Sequence, residues 1–581
     1  MNDMKTSDYI AEFLADHGIR HCYGYQGTMI AHLVDSLCRH PRLTNHVCLN
    51  EQGAAFAAVG EAKVTGRCAF AYSTSGPGAA NLLNGVADAY YDSVPVLFIT
   101  GQLNSYEYYD LPELKQHGFQ EMDVVDMAKP VTKYCVQVRN AHDLPRILHE
   151  AYETAVSGRP GPVLIDLPMD MQRMEIDPED YCFASSSGQA EPVFEMTPEA
   201  CADEILEALR AAKRPVLAVG KGIDPALRKT LRELVRTLEI PTVTSMPARD
   251  LLEYDDPLNF GHMGSGYGHR AVNMIVNKKT DLIVALGVSL CKRQTGMKTE
   301  NFARDAQIIR VDIDPTELSR RIHEHEKSYL QDASDVMTAL AAKAEGAVTD
   351  PAWLAVCRRI REELTAFDDS RPEREPNQIT KLISEYTKDA KTVCLDVGQH
   401  MMWGSQSYAL RGDQRMICSG GHGAMGFSLP AAIGAAISTG GPVITLTGDG
   451  SMQMNIQELE WMHREQLPIT VFVMNNHSLG LIQQQQDSIF QGRYYSSVAE
   501  GGYTAPDFAK VAAAYGIHSA RAENREELEQ ILKNLDLGKP NVIDVQLDVH
   551  SRAYPKTSFG EEMQNQQPYM PAELMKELLA L

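Results

Sequence analysis

The chain has 581 residues and a formal net charge of −23 at pH 7, and both values limit what it can be. A chain of this length exceeds what one hydrophobic core holds and suggests about three to five domains, of which the motifs described below favour three. The acidic balance argues against nucleic acid and against anionic membrane surfaces as partners, because both demand a basic protein surface.

The N-terminus has neither the basic start nor the apolar core of a signal peptide, and no later apolar stretch has the length of a membrane span. The eleven cysteines include no Cys-x-x-Cys pair, which fits reduced thiols better than disulfides or a zinc site. We therefore predict a cytoplasmic protein without membrane contact and without a catalytic cysteine.

The first segment, residues 1–183, alternates helical patterns with short apolar strands, which predicts a parallel sheet with ligands at the strand C-termini. Two predicted strand ends carry polar groups. One is Ser75-Gly76-Pro77-Gly78, which opens a helix, and the other is Glu51, which precedes a helix of small residues. A lone glutamate at a helix start is commonly only a partner of the helix dipole, and that alternative stays open.

A polar linker at 184–192 leads to a second α/β unit, residues 192–345, whose strands we predict at 214–220, 282–287 and 308–314. Glycine turns such as Gly220-Lys221-Gly222 follow these strands. Glycine turns at the strand ends of a Rossmann-like domain are often only structural. A charged, proline-containing stretch at 368–376 marks the next boundary.

The third segment, residues 370–560, contains Gly448-Asp449-Gly450 and, after one helix and one strand, Asn476. We predict that the helix begins at 454–460 and that 467–474 is a buried parallel strand. The glycines allow the backbone to approach phosphate oxygens, while the Asp449 carboxylate and the Asn476 amide are hard oxygen ligands of the kind Mg²⁺ prefers. The spacing therefore predicts a magnesium site that holds a diphosphate. A short helix is predicted near 571–575.

These motifs, together with those at 396–400 and 419–426, resemble the acetohydroxyacid (acetolactate) synthases, which use thiamine diphosphate, and the similarity covers nearly the whole chain. The resemblance implies an α/β fold of three doubly wound parallel-sheet domains. These would be a pyrimidine-binding domain (1–183), a central Rossmann-like domain (192–345) and a diphosphate-binding domain (370–560).

The same resemblance implies roles for individual residues. Glu51 would activate the cofactor aminopyrimidine, and Met425 would lie under the cofactor and force its bent conformation. By composition alone, Met425 would as readily be core filler. The implied Mg²⁺ ligands are Asp449, Asn476 and the Ser478 carbonyl. The implied neighbours of the diphosphate are Gln399, His400, Gly448, Gly450 and Ser451.

The resemblance also implies an assembly and a second cofactor. Gly27, Phe119 and Gln120 would belong to the substrate pocket and come from the opposing subunit, in a homodimer or tetramer with the active site at the subunit interface. A regulatory subunit is a further implied partner. FAD would lie against Gly220, Gly222, Arg293 and either Asp312 or Asp314.

The chain departs from this family where it has Gln485, since the family usually has a tryptophan there that shapes the acceptor pocket. Arg293 is retained, although Lys292 replaces the acidic residue before it, and its guanidinium suits an acceptor carboxylate. The resemblance therefore implies decarboxylation of pyruvate and transfer of the two-carbon hydroxyethyl unit to a second 2-oxo acid.

Two alternatives remain at this point. An amide in place of an aromatic wall adds hydrogen-bonding capacity, which favours a polar acceptor such as a keto sugar in cell-surface saccharide synthesis. A non-catalytic, cofactor-binding regulator is the third hypothesis. The presence of Glu51 argues against it, because a protein without turnover has no need of that group.

Overall fold

The computed structural model describes residues 3–109, 111, 113–177 and 194–581. Within these ranges the chain forms three α/β units, each built on a six-stranded parallel sheet, which confirms the predicted fold class. The linker predicted at 184–192 lies outside the described residues. None of the helices in these ranges is both long enough and apolar enough to cross a membrane.

The N-terminal unit has a sheet with strand order β3-β2-β4-β5-β7-β6, and β1 pairs with β8 in a small antiparallel sheet. Its strands are β1 Met4–Lys5, β2 His21–Gly24, β3 Thr44–Val47, β4 Ala69–Ser73, β5 Val96–Gln102, β6 Tyr134–Gln137, β7 Val163–Pro168 and β8 Glu175–Ile176. Its helices are α1 Thr6–Asp16, α2 Ala31–Arg39, α3 Glu51–Thr65, α4 Pro77–Tyr91, α5 Val124–Ala128 and α6 Leu144–Val156.

The central unit has the strand order β11-β10-β9-β12-β13-β14. This is the order of dinucleotide-binding sheets, in which the chain reverses direction across the sheet between the first and fourth strands. Its strands are β9 Pro215–Val219, β10 Thr242–Thr244, β11 Asn259–His262, β12 Leu282–Leu286, β13 Gln307–Asp312 and β14 Glu326–Leu330. Its helices are α7 Pro198–Ala211, α8 Arg228–Leu238, α9 Arg270–Met274, α10 Lys292–Thr295, α11 Pro315–Ser319, α12 Ala333–Lys343 and α13 Pro351–Asp369.

The C-terminal unit has the strand order β16-β15-β17-β18-β20-β19, and a short antiparallel pair, β21 and β22, follows it. Its strands are β15 Thr392–Leu395, β16 Arg415–Cys418, β17 Val443–Gly448, β18 Ile469–Asn475, β19 His518–Ala522, β20 Asn541–Gln546, β21 Lys556–Thr557 and β22 Gln566–Gln567. Its helices are α14 Glu375–Tyr386, α15 Gln399–Ser407, α16 Ser428–Thr439, α17 Asp449–Met454, α18 Glu458–Arg464, α19 Gly480–Phe490, α20 Phe508–Ala514, α21 Arg525–Lys533 and α22 Ala572–Ala580.

Helices α3 and α16 hold the N-terminal and C-terminal units together. A Cβ at Gly60 would lie 2.3 Å from the Ala431 carbonyl oxygen, and one at Gly434 would lie 1.9 Å from the Ala57 carbonyl oxygen. The run of small residues in α3 thus allows two backbones to touch, and it buries the helix on nearly all sides. Asn50 caps the start of α3 by accepting from the Gln52 amide at 2.8 Å.

The predicted strands at 214–220, 282–287, 308–314 and 467–474 all form, as β9, β12, β13 and β18, and the terminal helix forms as α22. The helix start predicted at 454–460 is partly wrong. A separate short helix, α17, begins at Asp449 itself, and α18 begins only at Glu458. Asn455 lies between the two helices, and its side-chain amide donates to the Gly426 carbonyl at 2.8 Å.

Candidate active site

A cavity of about 220 Å³ lies at the C-terminal edge of the third sheet, where β15, β17 and β18 end. The structure brings together there every residue that the sequence assigned to the cation and diphosphate, and also Met425. These lining residues are Gln399, His400, Met425, Gly448, Asp449, Gly450, Ser451, Asn476 and Ser478. Sequence reasoning gave no role to the apolar wall, which includes Trp403, Leu479, Leu481 and Ile482.

Asp449 and Asn476, the predicted cation ligands, both line the cavity. Among the residues that the structure describes, Oδ2 of Asp449 is buried and has no hydrogen-bond partner. Burial raises the pKa of this carboxyl to about 6, although the Tyr503 hydroxyl beside it acts to lower the pKa. The Asn476 amide nitrogen donates to Gln399 Oε1 at 3.0 Å, and Gln399 in turn donates to the Ser551 carbonyl at 2.9 Å. The Asn476 amide oxygen is therefore the end available to a cation.

The backbone after β18 makes a tight turn between Asn476 and Ser478. His477 has a φ of 54°, in the left-handed region that residues other than glycine rarely adopt. Its amide donates to the Asn475 side chain at 3.2 Å, which holds the turn in place. Strained turns of this kind are concentrated at functional sites.

The glycines of the cavity wall are required by their neighbours. A Cβ at Gly448 would lie 2.7 Å from the His400 ring, and one at Gly450 would lie 2.6 Å from Leu479 and 3.4 Å from Met425. Burial lowers the pKa of His400 to about 3, so the imidazole is neutral, and its Nε2 has no hydrogen-bond partner among the described residues. The unpaired Asp449 oxygen, the oriented Asn476 amide and the glycine positions of the wall fit a divalent cation that carries a diphosphate.

A second group of predicted residues lies at the C-terminal edge of the first sheet. Glu51 is 7% exposed at the start of α3, and its Oε2 accepts from the Asn81 amide at 3.0 Å. A Cβ at Gly78 would lie 3.0 Å from Glu51 Oε1. The Thr74 and Ser75 hydroxyls beside it are buried and have no hydrogen-bond partner in the described parts of the chain. The sequence indicated no role for Asn81.

Gly27 and Gln120 contact the same turn. A Cβ at Gly27 would lie 2.4 Å from the Thr74 side chain, and a Cβ at Gly76 would lie 2.8 Å from the Gln120 carbonyl oxygen. Phe119 is 80% exposed beside them. The structure thus gathers the residues predicted to come from an opposing subunit around Glu51.

The two groups do not meet within one chain. Among the residues that the structure describes, those lining the cavity all belong to the C-terminal unit. The predicted acceptor residue Gln485 is exposed on α19, one helical turn beyond Ile482 of the cavity wall. Each edge therefore presents one of the two groups of predicted site residues.

The residues predicted to line FAD lie elsewhere, on the central sheet. A Cβ at Gly220 would lie 2.0 Å from the Gly287 carbonyl oxygen, and one at Gly222 would lie 2.7 Å from Gly287 Cα. Packing of the two turns against each other accounts for these glycines. Arg293 is exposed on α10, while Asp312 is partly buried at the end of β13, and burial raises its carboxyl pKa. Flavin binding stays a prediction.

Asp314, the alternative residue predicted near FAD, lies in an ion pair between two units. Its Oδ2 accepts from the Arg159 guanidinium of the N-terminal unit at 2.8 Å, an ion pair that joins the two units.

Family models match all three units. The C-terminal domain of thiamine pyrophosphate (diphosphate) enzymes matches residues 396–545, the N-terminal domain matches residues 4–127, and the central domain matches residues 202–340. The first two are described as thiamine pyrophosphate-binding domains.

Similar curated proteins are acetolactate synthases. The acetolactate synthase isozyme 2 large subunit of Escherichia coli is 34% identical over 562 residues, which cover 95% of this chain and 97% of that protein. Acetolactate synthase 1 of Zea mays is 33% identical and covers 96% of this chain and 87% of its own length. The large subunit of Lactococcus lactis is 32% identical, with 95% and 94% covered. The chain therefore belongs to the thiamine pyrophosphate enzyme family, alongside the acetolactate synthase large subunits.

Proposed function

We propose that the protein is a Mg²⁺-dependent, decarboxylating carboligase of the acetolactate synthase type. It would decarboxylate pyruvate and transfer the two-carbon unit to a second 2-oxo acid. The observation that carries this proposal is the buried Asp449 carboxylate, whose Oδ2 has no hydrogen-bond partner among the described residues, in a glycine-walled cavity of a chain that also presents Glu51 on a second edge. Thiamine diphosphate, when bound, supplies the electron sink that decarboxylation needs.

The chain's own residues would divide the work between binding and proton transfer. Asp449, Asn476 and the Ser478 carbonyl would hold the cation, and Gln399 would keep the Asn476 amide turned toward it. Asn81 engages Oε2 of Glu51, so Oε1 is the oxygen available to exchange a proton with the cofactor pyrimidine. The apolar wall would exclude water from the reacting atoms.

We propose that Glu51 of one subunit completes the cavity of another, in a homodimer or tetramer. Both half-sites are bordered by exposed apolar side chains, which a monomer rarely leaves beside polar catalytic groups. Leu49 and Phe119 are 37% and 80% exposed near Glu51, and Met454 and Ile482 are 52% and 46% exposed near the cavity. A regulatory subunit is a further proposed partner, because similar proteins are named large subunits.

A polar acceptor, such as a keto sugar, is the second candidate substrate. Its support is Gln485, which presents an exposed amide at the face of α19 that also carries Ile482 of the cavity wall. A site able to hydrogen-bond an acceptor hydroxyl disfavours acceptors that lack one. FAD in the central unit and a cytoplasmic location complete the proposal.

The test is to incubate the protein with thiamine diphosphate, Mg²⁺ and pyruvate, alone or with 2-oxobutyrate or a keto sugar, and to identify the products by mass spectrometry. Acetolactate from pyruvate alone supports the first candidate. Carbon dioxide release that requires the sugar supports the second. Binding of the cofactor without turnover of any combination would favour a non-catalytic regulator, and a yellow purified protein would support bound flavin.

A further inference from the structure

The loop at 419–426 is held by acidic side chains at both ends, and its penultimate residue, Met425, lies on the cavity wall. Asp396 of the same unit holds the far end, where its carboxylate accepts from the Gly426 and Ser428 amides, both at 2.9 Å. Asp92, at the end of α4 in the N-terminal unit, holds the near end. It accepts from the Gly420 amide at 2.9 Å and from the Gly421 amide at 2.6 Å.

Lys63 holds the Asp92 carboxylate in place. Its ammonium donates to Asp92 at 2.6 Å and to the Cys418 carbonyl, where the loop starts, at 2.7 Å. It also lies 4.5 Å from the centre of the Phe427 ring, just beyond the end of the loop. Only 4% of the Lys63 side chain is exposed. Burial lowers its pKa, but Asp88 and Asp92 together raise it above the usual value, so the ammonium stays charged.

Asp88 adds a third contact, one turn earlier on α4. Its side chain is fully buried, and it accepts a hydrogen bond from the Ser419 hydroxyl, whose oxygen accepts from the Ala424 amide at 2.9 Å. Farther out, the Tyr91 ring stacks on His422, and Asn84 hydrogen-bonds the same imidazole at 2.9 Å. The cavity loop is thus held from the N-terminal unit along almost its whole length.

We propose that Asp92, which Lys63 holds in place, is a positioning residue that determines where Met425 lies on the cavity wall. The proposal rests on the proposed function, since it assigns Met425 a part in holding the cofactor. The same contacts link the Glu51 edge of the chain to its cavity edge. Helix α3 begins at Glu51 and carries Lys63 in its last turn, and α4 holds Glu51 through Asn81 and the loop through Asp92.

The variant Asp92→Asn keeps the side-chain shape but leaves Lys63 with a weaker partner and gives the loop one acceptor oxygen instead of two. Gly421→Ala acts on the same contact without touching a buried charge. Its Cβ would lie 2.8 Å from the Tyr91 carbonyl oxygen and 3.0 Å from Asp92 Oδ1, which pushes the loop away. Gly420→Ala is the matched control, because its Cβ would meet nothing closer than 3.5 Å.

The first measurement is hydrogen–deuterium exchange of the cofactor-free protein. We expect 419–426 to exchange faster in Asp92→Asn and Gly421→Ala, and not in Gly420→Ala, while the remote segment 198–211 exchanges as in the wild type. The second measurement is turnover at saturating cofactor. We expect a loss of about tenfold to a hundredfold in kcat for both variants, with the KM for pyruvate little changed, because displacement by about 1 Å costs that much.

Wild-type exchange at 419–426 in Gly421→Ala would overturn the proposal, and so would wild-type kcat in that variant. If Asp92→Asn does not fold, Gly421→Ala alone decides the matter. Failure of the wild type to bind thiamine diphosphate with Mg²⁺ in calorimetry would instead refute the proposed function, and it would leave the exchange result standing as a separate test of the link.

Discussion

The N-terminal and C-terminal sheets share one strand order, so each strand of the first has an equivalent in the second. Strand β4 corresponds to β17, and each leads past a glycine into a helix: β4 through the turn at 74–76 into α4, and β17 directly at Gly448 into α17. Strand β3 corresponds to β16, and the helices that follow them, α3 and α16, pack against each other. The C-terminal edges of the first and third sheets are therefore structurally equivalent within one chain.

The equivalent strand ends differ in chemistry. After β17 stands Asp449, whose Oδ2 has no hydrogen-bond partner among the described residues, whereas after β4 stand the Thr74 and Ser75 hydroxyls, which likewise have none there. Glu51 stands at the start of α3, separated from the end of β3 by three residues, whereas after β16 a loop extends to Met425. The shared framework thus fixes where a ligand binds, and a few residues at the strand ends decide what is bound.

The sharpest way to test the N-terminal edge is Glu51→Gln. We expect carbon dioxide release from pyruvate to fall by about 10²- to 10⁴-fold, since a positioned proton-transfer group contributes that much. Mg²⁺-dependent cofactor binding, measured by calorimetry, should stay close to wild type. The matched control is Glu199→Gln, an exposed glutamate in the first turn of α7. Wild-type turnover in Glu51→Gln would contradict the assignment of proton transfer to Glu51.

The corresponding test of the C-terminal edge is Asp449→Asn. We expect cofactor affinity in the presence of Mg²⁺ to fall by about a hundredfold, roughly 2.7 kcal/mol, because the cation loses its only carboxylate ligand in the proposed set. The cofactor-free variant should melt at a temperature no lower than wild type, since a buried, unpaired carboxylate is removed. The control is Asp305→Asn, on an exposed loop. Unchanged affinity would refute the cation site.

A smaller effect is expected at the mouth of the cavity. Gln485→Trp should shift the preference between a keto sugar and a 2-oxo acid acceptor by about tenfold toward the 2-oxo acid, measured as a ratio of kcat/KM values. Gln485→Leu separates the loss of the amide from the gain of a ring. An unchanged ratio in both variants would exclude Gln485 from acceptor choice.

A further prediction concerns stability rather than activity, at a contact that joins the N-terminal and C-terminal units. Glu458 of α18 is fully buried and accepts from the Leu49 amide at 3.2 Å, two residues before Glu51, and burial raises its pKa to about 7. A carboxyl whose pKa is raised on folding gives stability that is present at low pH and lost as the pH rises from about 4.5 to about 7.

We therefore expect Glu458→Gln to have little effect on the free energy of unfolding near pH 5 and to stabilise the protein by at most about 3 kcal/mol at pH 8. Thermal unfolding of the cofactor-free protein from pH 5 to pH 8 measures this. The control, Glu460→Gln on the same helix, should keep the wild-type pH dependence. A parallel dependence in the wild type and Glu458→Gln would show that the buried carboxyl does not titrate in this range.

The sequence was sufficient for the fold class and for the residues around the cavity because those signals are local. Apolar strands ending in glycine or polar residues identify parallel sheets, and Asp449 and Asn476 lie in motifs read along the chain. The division of 449–464 into two helices was missed, since it depends on the Asn455 contact with Gly426, which is remote in sequence.

The contacts that orient the site could not be predicted, because they join residues far apart in the chain. Asn81 reaches Glu51 across 30 positions, and Asp92 reaches Gly421 across 329. No periodicity or motif encodes such pairs. The apolar wall at Trp403 and Ile482 was missed for a related reason, since apolar residues on a helix indicate core as readily as a binding surface.

The central claim is that the two edges of different subunits form one site, and mixing two inactive variants tests it most directly. At a cofactor concentration well below the weakened affinity of Asp449→Asn, we expect Glu51→Gln and Asp449→Asn each to be nearly inactive, but a hybrid dimer contains one site with both residues intact. Random reassociation of equal amounts should restore about one quarter of the wild-type pyruvate decarboxylation per subunit. Activity no higher than that of the separate variants, with hybrids demonstrated by native mass spectrometry, would contradict the account.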